Sequence, residues 1–132
     1  MVEGVTPRAE ELLAHLAMVA VRQLRTEGVP FDAIALVCAF GGDQLTAYGW
    51  WYTPDGAAHP WTPTGPPLTA LAFALRAESR PGGQLPCGAF IVKVSVPLDA
   101  IGADFLYGPD AGPWTVGPPA VPGLDRAARP AA

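Results

Sequence analysis

The hydrophobic residues in the first part of the chain recur at steps of three and four, which is the spacing of one face of an α-helix. This pattern predicts a first helix over residues 7–27, with Thr6 as its N-cap and Pro7 at its first position. Gly28 follows the last turn, and Pro30 prevents the helix from continuing. The apolar stripe consists of Leu12, Leu13, Leu16, Val19, Ala20 and Leu24. We expect this stripe to face the protein core.

A period of two then predicts a strand over residues 31–40 whose two faces are both apolar. One face carries Ile34, Leu36, Cys38 and Phe40, and the other carries Ala33, Ala35, Val37 and Ala39. Such a strand is expected at the centre of a sheet. The glycines within residues 41–43 predict a hairpin turn into a return strand over residues 45–52.

Aromatic residues dominate the return strand, and the alternation of a strand divides them between its two faces. Trp51 shares a face with Leu45 and is expected beneath the helices. Tyr48, Trp50 and Tyr52 are expected on the opposite face. Two interpretations of these three side chains follow. They pack on neighbouring strands or on the C-terminal residues, or they form an open binding surface, since Tyr and Trp are common at interface hot spots.

The remaining pattern predicts a turn at residues 53–56, a short strand over residues 57–61 and a second helix over residues 67–79. The inner stripe of this helix consists of Leu68, Leu71, Ala72 and Leu75. A strand follows over residues 88–97, and residues 103–108 are expected to return antiparallel beside it. In the first of these strands the side chains expected to face inward are Phe90, Val92, Val94 and Val96, and those expected to face water are Lys93 and Ser95.

The order of elements, α-β-β-(β)-α-β-β, predicts an α+β fold. We expect an antiparallel sheet of four to five strands, with two helices packed on one face, in a single domain over residues 1–108. Residues 109–132 contain six prolines with repeated glycine and alanine, and they are expected to form a C-terminal tail. Trp114 and Val116 are its candidates for docking on the sheet, and residues beyond Gly117 are expected to contribute little to stability.

Charge, hydropathy and cysteine content limit the classes of partner and the cellular compartment that are expected for this protein. The 132 residues carry a formal net charge of -4 and a single lysine, Lys93, so no nucleic-acid partner is expected. The sequence has neither a signal-peptide pattern nor an apolar run of about 20 residues, so no membrane partner is expected. Cys38 and Cys87 are expected to be buried and reduced, which indicates a cytoplasmic protein.

No residue pattern predicts catalysis, a metal or a cofactor. His59 lies between Ala58 and Pro60, and His15 lies in the first helix; neither belongs to a cluster of metal ligands in the sequence. Ser79 and Ser95 lie outside nucleophile motifs. Cys87 has an accessible-looking setting but no partner that can be assigned. A non-enzymatic protein is therefore favoured, and an enzymatic activity stays open.

A partner-binding surface is the kind of site that the sequence favours. It joins the return strand to the neighbouring turns and to the short strand that follows. Its candidate residues are Tyr48, Trp50, Tyr52, Asp43, Asp55, His59 and Trp61. Aspartates in predicted turns usually hydrogen-bond their own backbone, and this interpretation is favoured for Asp43, Asp55, Asp99, Asp104 and Asp110. Collected on one edge, they would instead form an acidic rim beside the aromatic side chains, and an acidic surface favours a basic protein partner.

The order of these motifs resembles the YezG-type family of small bacterial immunity proteins. The resemblance covers residues 8–108 and rests on a helix, an aromatic hairpin ending in WWYTPDG, a leucine-rich second helix, and the motifs GAFIVKVSV and DFLYG. It implies an antitoxin that neutralises a cognate toxin, often a nuclease, by binding rather than by catalysis. The high alanine, glycine and proline content suggests a high-GC actinobacterial source.

Two functions from different classes follow. The first is a non-enzymatic protein-binding module of the immunity type, which binds its partner through the aromatic, acid-rimmed face. The second is a small-molecule-binding protein or small enzyme with a cystatin-like cone fold, in which Trp50, Trp51 and Trp61 line a cavity. A stoichiometric protein partner would support the first, and a bound metabolite the second. A third interpretation is a structural subunit of a larger complex.

Overall fold

The computed structural model describes residues 7–41, 44–79, 86–96, 100–117 and 121–130. Its elements are α1 (Pro7–Glu27), β1 (Ala33–Gly41), β2 (Gln44–Tyr52), β3 (Ala58–Trp61), α2 (Pro66–Glu78), β4 (Ala89–Ser95), β5 (Ala100–Leu106), a 3-10 turn (Gly108–Ala111), α3 (Gly112–Val116) and α4 (Leu124–Ala127). The five strands form an antiparallel sheet in the order β3-β2-β1-β4-β5. The predicted α+β class is confirmed.

The first helix forms where the apolar period predicted it. Leu12, Leu16 and Leu24 are buried on its inner face, and the alanines at positions 9, 17 and 20 are buried as well. Gly28 follows the helix with a φ of 74°, a left-handed conformation that glycine adopts without steric strain. The expected N-cap, Thr6, lies outside the described residues.

Strand β1 occupies the centre of the sheet, as its two apolar faces predicted. It pairs antiparallel with both β2 and β4, and every residue from Ile34 to Phe40 is buried. One face contributes Ile34, Leu36, Cys38 and Phe40 to the core beneath the helices, and the other contributes Ala35, Val37 and Ala39 to a second cluster. The turn predicted at residues 41–43 lies mostly outside the described residues, which stop at Gly41 and resume at Gln44.

The helices α1 and α2 pack against each other on one face of the sheet. Leu68, Ala72 and Leu75 of α2 are buried there, as the predicted stripe required. Phe73 of the same helix packs edge-on against Phe40 of β1, with ring centroids 5.3 Å apart. This confirms the expected layer of two helices on one side of the sheet.

The other face is covered by the C-terminal segment, which we define as residues 108–117 and 121–130. Its short helices place Trp114, Leu124 and Ala128 in a cluster with side chains of the sheet. Trp114 docks as the sequence allowed, whereas Val116 is 59% exposed. The burial of Leu124 and Ala128 corrects the expectation of a loose tail. No period marks these residues, because glycine and proline interrupt the segment.

The ends of β4 differ from the expected alternation. Ser95 was expected to face water, yet it is only 8% exposed. Val96 was expected to face inward, but it lies just beyond the end of β4 and is 43% exposed. Cys87, whose setting looked accessible, is fully buried. Alternation fixes the face of a side chain, whereas tertiary packing decides whether that face is covered.

Candidate partner-binding surfaces

The structure buries most of the aromatic face that the sequence assigned to a partner. Trp50 is 4% exposed and Tyr52 is 2% exposed, because the C-terminal segment lies over this face. Tyr48 is half-buried at the same cluster and packs edge-on against Trp50, with ring centroids 5.7 Å apart. Of the two interpretations of this face, packing on the C-terminal residues is the one observed. The alternative interpretation, an open binding face at these three side chains, is not observed.

Two tyrosine hydroxyls fasten the C-terminal segment to the sheet. The Tyr48 hydroxyl donates a hydrogen bond to the backbone carbonyl of Trp114 at 2.6 Å, and the Tyr52 hydroxyl donates to that of Asp125 at 2.7 Å. Burial raises the pKa of Tyr48 to about 12 and also raises the pKa of Tyr52. Both phenols are therefore protonated donors at neutral pH.

Arg129 adds a third attachment at the end of the segment. Its guanidinium lies over the ring of Tyr52, 5.0 Å from the ring centroid, and donates a hydrogen bond to the carbonyl of Gly56. A cavity of about 300 Å³ adjoins this contact, and its lining includes Asp125 and Arg126. The C-terminal segment thus contacts both β2 and the turn between β2 and β3.

Trp61 belongs to the core beneath the helices rather than to the aromatic face. It is 8% exposed, and its backbone position in β3 pairs with Gly49 of β2. A Cβ atom added at Gly49 would collide with the backbone carbonyl of Ala35 in β1, so this position requires glycine. Because Trp61 belongs to the core beneath the helices and Trp50 to the cluster on the other face, the two side chains lie on opposite sides of the sheet.

A stacked pair of aromatic rings lies at the β2–β3 edge of the sheet. The Trp51 and His59 rings are 4.0 Å apart between centroids, with an angle of 13° between their planes. They meet because the register of β2 and β3 places these two residues opposite each other. Both side chains are half-buried, and Trp51 packs against the margin of the helix-side core.

Trp51 was expected beneath the helices and was not a candidate site residue. Its face was predicted correctly, but the cover that the two helices provide leaves this side chain half-buried. A signal for its pairing was present in the sequence. A hairpin centred on Asp55 places Trp51 and His59 at equal distances from the turn, and hence side by side.

Of the two candidate carboxylates, the structure describes Asp55 but not Asp43. Asp55 is exposed in the turn between β2 and β3, where it accepts hydrogen bonds from the Thr53 hydroxyl and from the Ala57 amide, the latter at 3.2 Å. The Thr53 bond is the main cause of its lowered pKa, to which the nearby His59 also contributes. Asp43 lies outside the described residues. Asp55 is thus a turn-forming residue that keeps its negative charge beside the stacked rings.

The two thiols are free and buried. Burial raises the pKa of Cys38 and that of Cys87, so both are protonated at neutral pH. The Ser79 hydroxyl donates a hydrogen bond to the Cys87 sulfur at 3.1 Å. This pair is fully enclosed rather than open to a substrate.

Three further features of the described ranges bear on function. No group of three His, Cys, Asp or Glu side chains within them is placed to hold a metal ion. None of their helices has both the length and the apolarity required to cross a membrane. An open cleft of about 540 Å³ lies between the end of α1 and the residues after β3, lined by Arg22, Gln23, Thr26, Glu27, Thr62 and Thr64. These polar side chains contrast with the tryptophan-lined cavity of the cone-fold interpretation.

No protein-family model and no curated protein matches the sequence. Trp50 lies on one face of the sheet, whereas Trp51 and Trp61 lie on the other. The three side chains cannot line one cavity, so the geometry does not favour the small-molecule interpretation.

Proposed function

We propose that this protein is a non-enzymatic protein-binding module whose binding surface lies at the β2–β3 edge. We call this the hairpin surface and define it as Trp51, Pro54, Asp55 and His59. The observation that carries the proposal is that the stacked Trp51 and His59 rings keep exposed area, whereas the other tryptophans of the chain are buried. Partly exposed aromatic rings on a rigid strand pair are typical of interface hot spots.

The physical state of the hairpin surface suits recognition of a protein. Stacking holds both rings in place before binding, so little side-chain entropy is lost when a partner covers them. Asp55 is exposed at the rim, where it contributes a negative charge at neutral pH. With the net charge of -4, this favours a partner with a basic surface.

Neutralisation of a toxin is the specific form of this proposal. The resemblance to the YezG-type immunity family supports it, since those proteins act by binding rather than by catalysis. The free, buried thiols of Cys38 and Cys87 support a cytoplasmic module, because reduced cysteines are typical of that compartment.

Site-specific photo-crosslinking in the organism that carries the gene tests the proposal. A benzophenone amino acid replaces Pro54, an exposed residue of the hairpin surface outside the ring stack, in one variant and the exposed Arg126 of the C-terminal segment in a matched control. We expect one stoichiometric protein adduct from position 54, none from position 126, and loss of the adduct when Trp51→Ala is added. No adduct from position 54, or the same adduct from both positions, would refute the hairpin surface.

A growth assay tests the toxin hypothesis separately. The crosslinked partner is expressed alone, with the unmodified chain, and with the Trp51→Ala chain. We expect the partner to arrest growth and only the unmodified chain to restore it. A partner that is harmless alone would retain the binding function and contradict neutralisation. Circular dichroism melts of both chains show whether the variant is folded.

A further inference from the structure

The two edges of the sheet are built differently. β3 has four residues and contains Pro60, which lacks the amide hydrogen that an added strand would need. β5 has seven residues and contains no proline. Among the described residues, no strand pairs with its outer side. The β5 edge therefore keeps the features that allow another strand to add.

The side chains of β5 divide between the two faces of the sheet. Ile101, Ala103 and Phe105 lie on the helix side, since their partners in β4 belong to the core beneath the helices. Ile101 is 49% exposed. Asp104 lies on the other side, where its carboxylate forms an ion pair with Lys93 at 2.8 Å.

We propose that β5 pairs antiparallel with β5 of a second copy of this chain, around a twofold axis at Ala103, to form a continuous ten-stranded sheet. Closed twofold pairing is the commonest way in which identical chains associate. The strand is self-complementary in this register. Ala103 is its midpoint, so all seven residues find a partner, and Ile101 of each copy lies opposite Phe105 of the other.

The neighbouring registers are less favourable. Residues that lie opposite each other in an antiparallel pair must point to the same face of the sheet, so the axis can move only by a whole residue. The neighbouring positions of the axis are Gly102 and Asp104. An axis at Asp104 places two carboxylates directly opposite each other, which is destabilising. An axis at Gly102 leaves Phe105 and Leu106 without a partner residue within β5. The axis at Ala103 instead places Asp104 opposite Gly102, while each Asp104 keeps its own Lys93.

This assembly goes beyond the proposed function, because it uses the edge opposite to the hairpin surface. Each copy would carry its hairpin surface at an outer end of the shared sheet, since β3 and β5 are the two edges. The dimer would therefore be bivalent. Two linked sites bind a multivalent partner more tightly than either site alone.

The mass of the full chain in solution is the primary test. Sedimentation equilibrium is expected to give twice the chain mass of 13.7 kDa. Ile101→Lys should reduce the mass to that of one chain, because it places a charge opposite Phe105. Met18→Lys is the matched control, since Met18 is also 49% exposed but lies on α1, and it should leave the mass doubled. A monomeric unmodified chain, or a dimeric Ile101→Lys chain, would overturn the proposal.

Disulfide trapping tests the register independently. At the proposed axis, residue 103 of one chain lies directly opposite residue 103 of the second chain. Ala103→Cys should therefore form an intermolecular disulfide, and hence a covalent dimer, under mild oxidation. Ala77→Cys on the exposed side of α2 is the control and should remain a single chain. The native thiols are buried and do not interfere. A doubled mass without trapping at position 103 would overturn the proposed register. Neither measurement requires the protein partner, so either proposal can fail alone.

Discussion

The two faces of the sheet are covered in contrasting ways. On the helix side, leucine and phenylalanine side chains from α1, α2, β1 and β4 interlock in one apolar core. On the other side, the C-terminal segment lays a few apolar side chains on small residues of β1 and on Trp50 and Tyr52 of β2. Hydrogen bonds from Tyr48 and Tyr52 to its backbone carbonyls hold it there. One cover is built from a repeated pattern, and the other from isolated contacts.

This difference shows why one layer is evident in the sequence and the other is not. A helix that covers a sheet must repeat its apolar residues every three or four positions, and this repeat is visible without a structure. A segment held through backbone carbonyls has no such requirement, because any residue type supplies the acceptor. Its composition then resembles that of a loose tail.

Trp50→Ala is expected to have the largest effect, because the indole fills the contact between β2 and the C-terminal segment. We expect the free energy of unfolding to fall by about 3–5 kcal/mol in chemical denaturation. Trp51→Ala is the neighbouring control and should cost about 1–2 kcal/mol, since part of its side chain is already in water. The reverse order would mean that the segment does not cover Trp50 in solution.

Leu16→Ala measures the strength of the helix-side core. Leu16 is fully buried, so we expect a loss of about 2–5 kcal/mol in the free energy of unfolding. Met18→Ala, two residues along the same helix, should change stability by about 0.5 kcal/mol or less, because its side chain is 49% exposed. Similar losses for both variants would show that the inner face of α1 is misassigned.

Leu124→Ala tests the second cover directly. Leu124 packs against the sheet and is only 5% exposed. We expect its truncation to lower the free energy of unfolding by about 2 kcal/mol, the low end for a buried leucine. The short helix α4 lies at the surface and is free to close part of the gap. The exposed neighbour Arg126→Ala serves as the control. A change as small as that of the control would restore the sequence-based expectation that residues beyond Gly117 contribute little.

The smallest expected effect is a loss of stability in alkali. The pKa of Tyr48 is raised in the folded state to about 12, above the ordinary value of 10.0, so folding favours the protonated phenol. Its contribution is complete below pH 10 and is lost as the pH rises toward 12. Tyr48→Phe should cost about 1 kcal/mol at neutral pH and make the loss between pH 10 and 12 shallower. An unchanged alkaline slope in that variant would contradict the role of the hydroxyl.

The comparison also shows how far the sequence predicts the fold and the site. Periodicity located α1, β1, β2 and β4, and it assigned Trp50 and Trp51 to opposite faces. The last strand, β5, begins three residues before the predicted range of 103–108. It did not predict which part of each face is covered, because cover depends on elements distant in the chain. For the same reason it left open whether Trp50 is exposed or buried, and it did not name Trp51 as a site residue.

The hydrogen bonds of Tyr48 and Tyr52 have a consequence during protein synthesis. The two bonded residues are 66 positions apart in the chain for Tyr48 and 73 positions apart for Tyr52. In both cases the acceptor is synthesised after β2, the strand that the C-terminal segment covers. Until the ribosome has released the C-terminal segment, Trp50 and Tyr52 lie on an uncovered face of the nascent sheet. Exposed apolar surface of this kind attracts chaperones and favours aggregation. The period of greatest vulnerability is therefore the interval between synthesis of β5 and synthesis of Ala128.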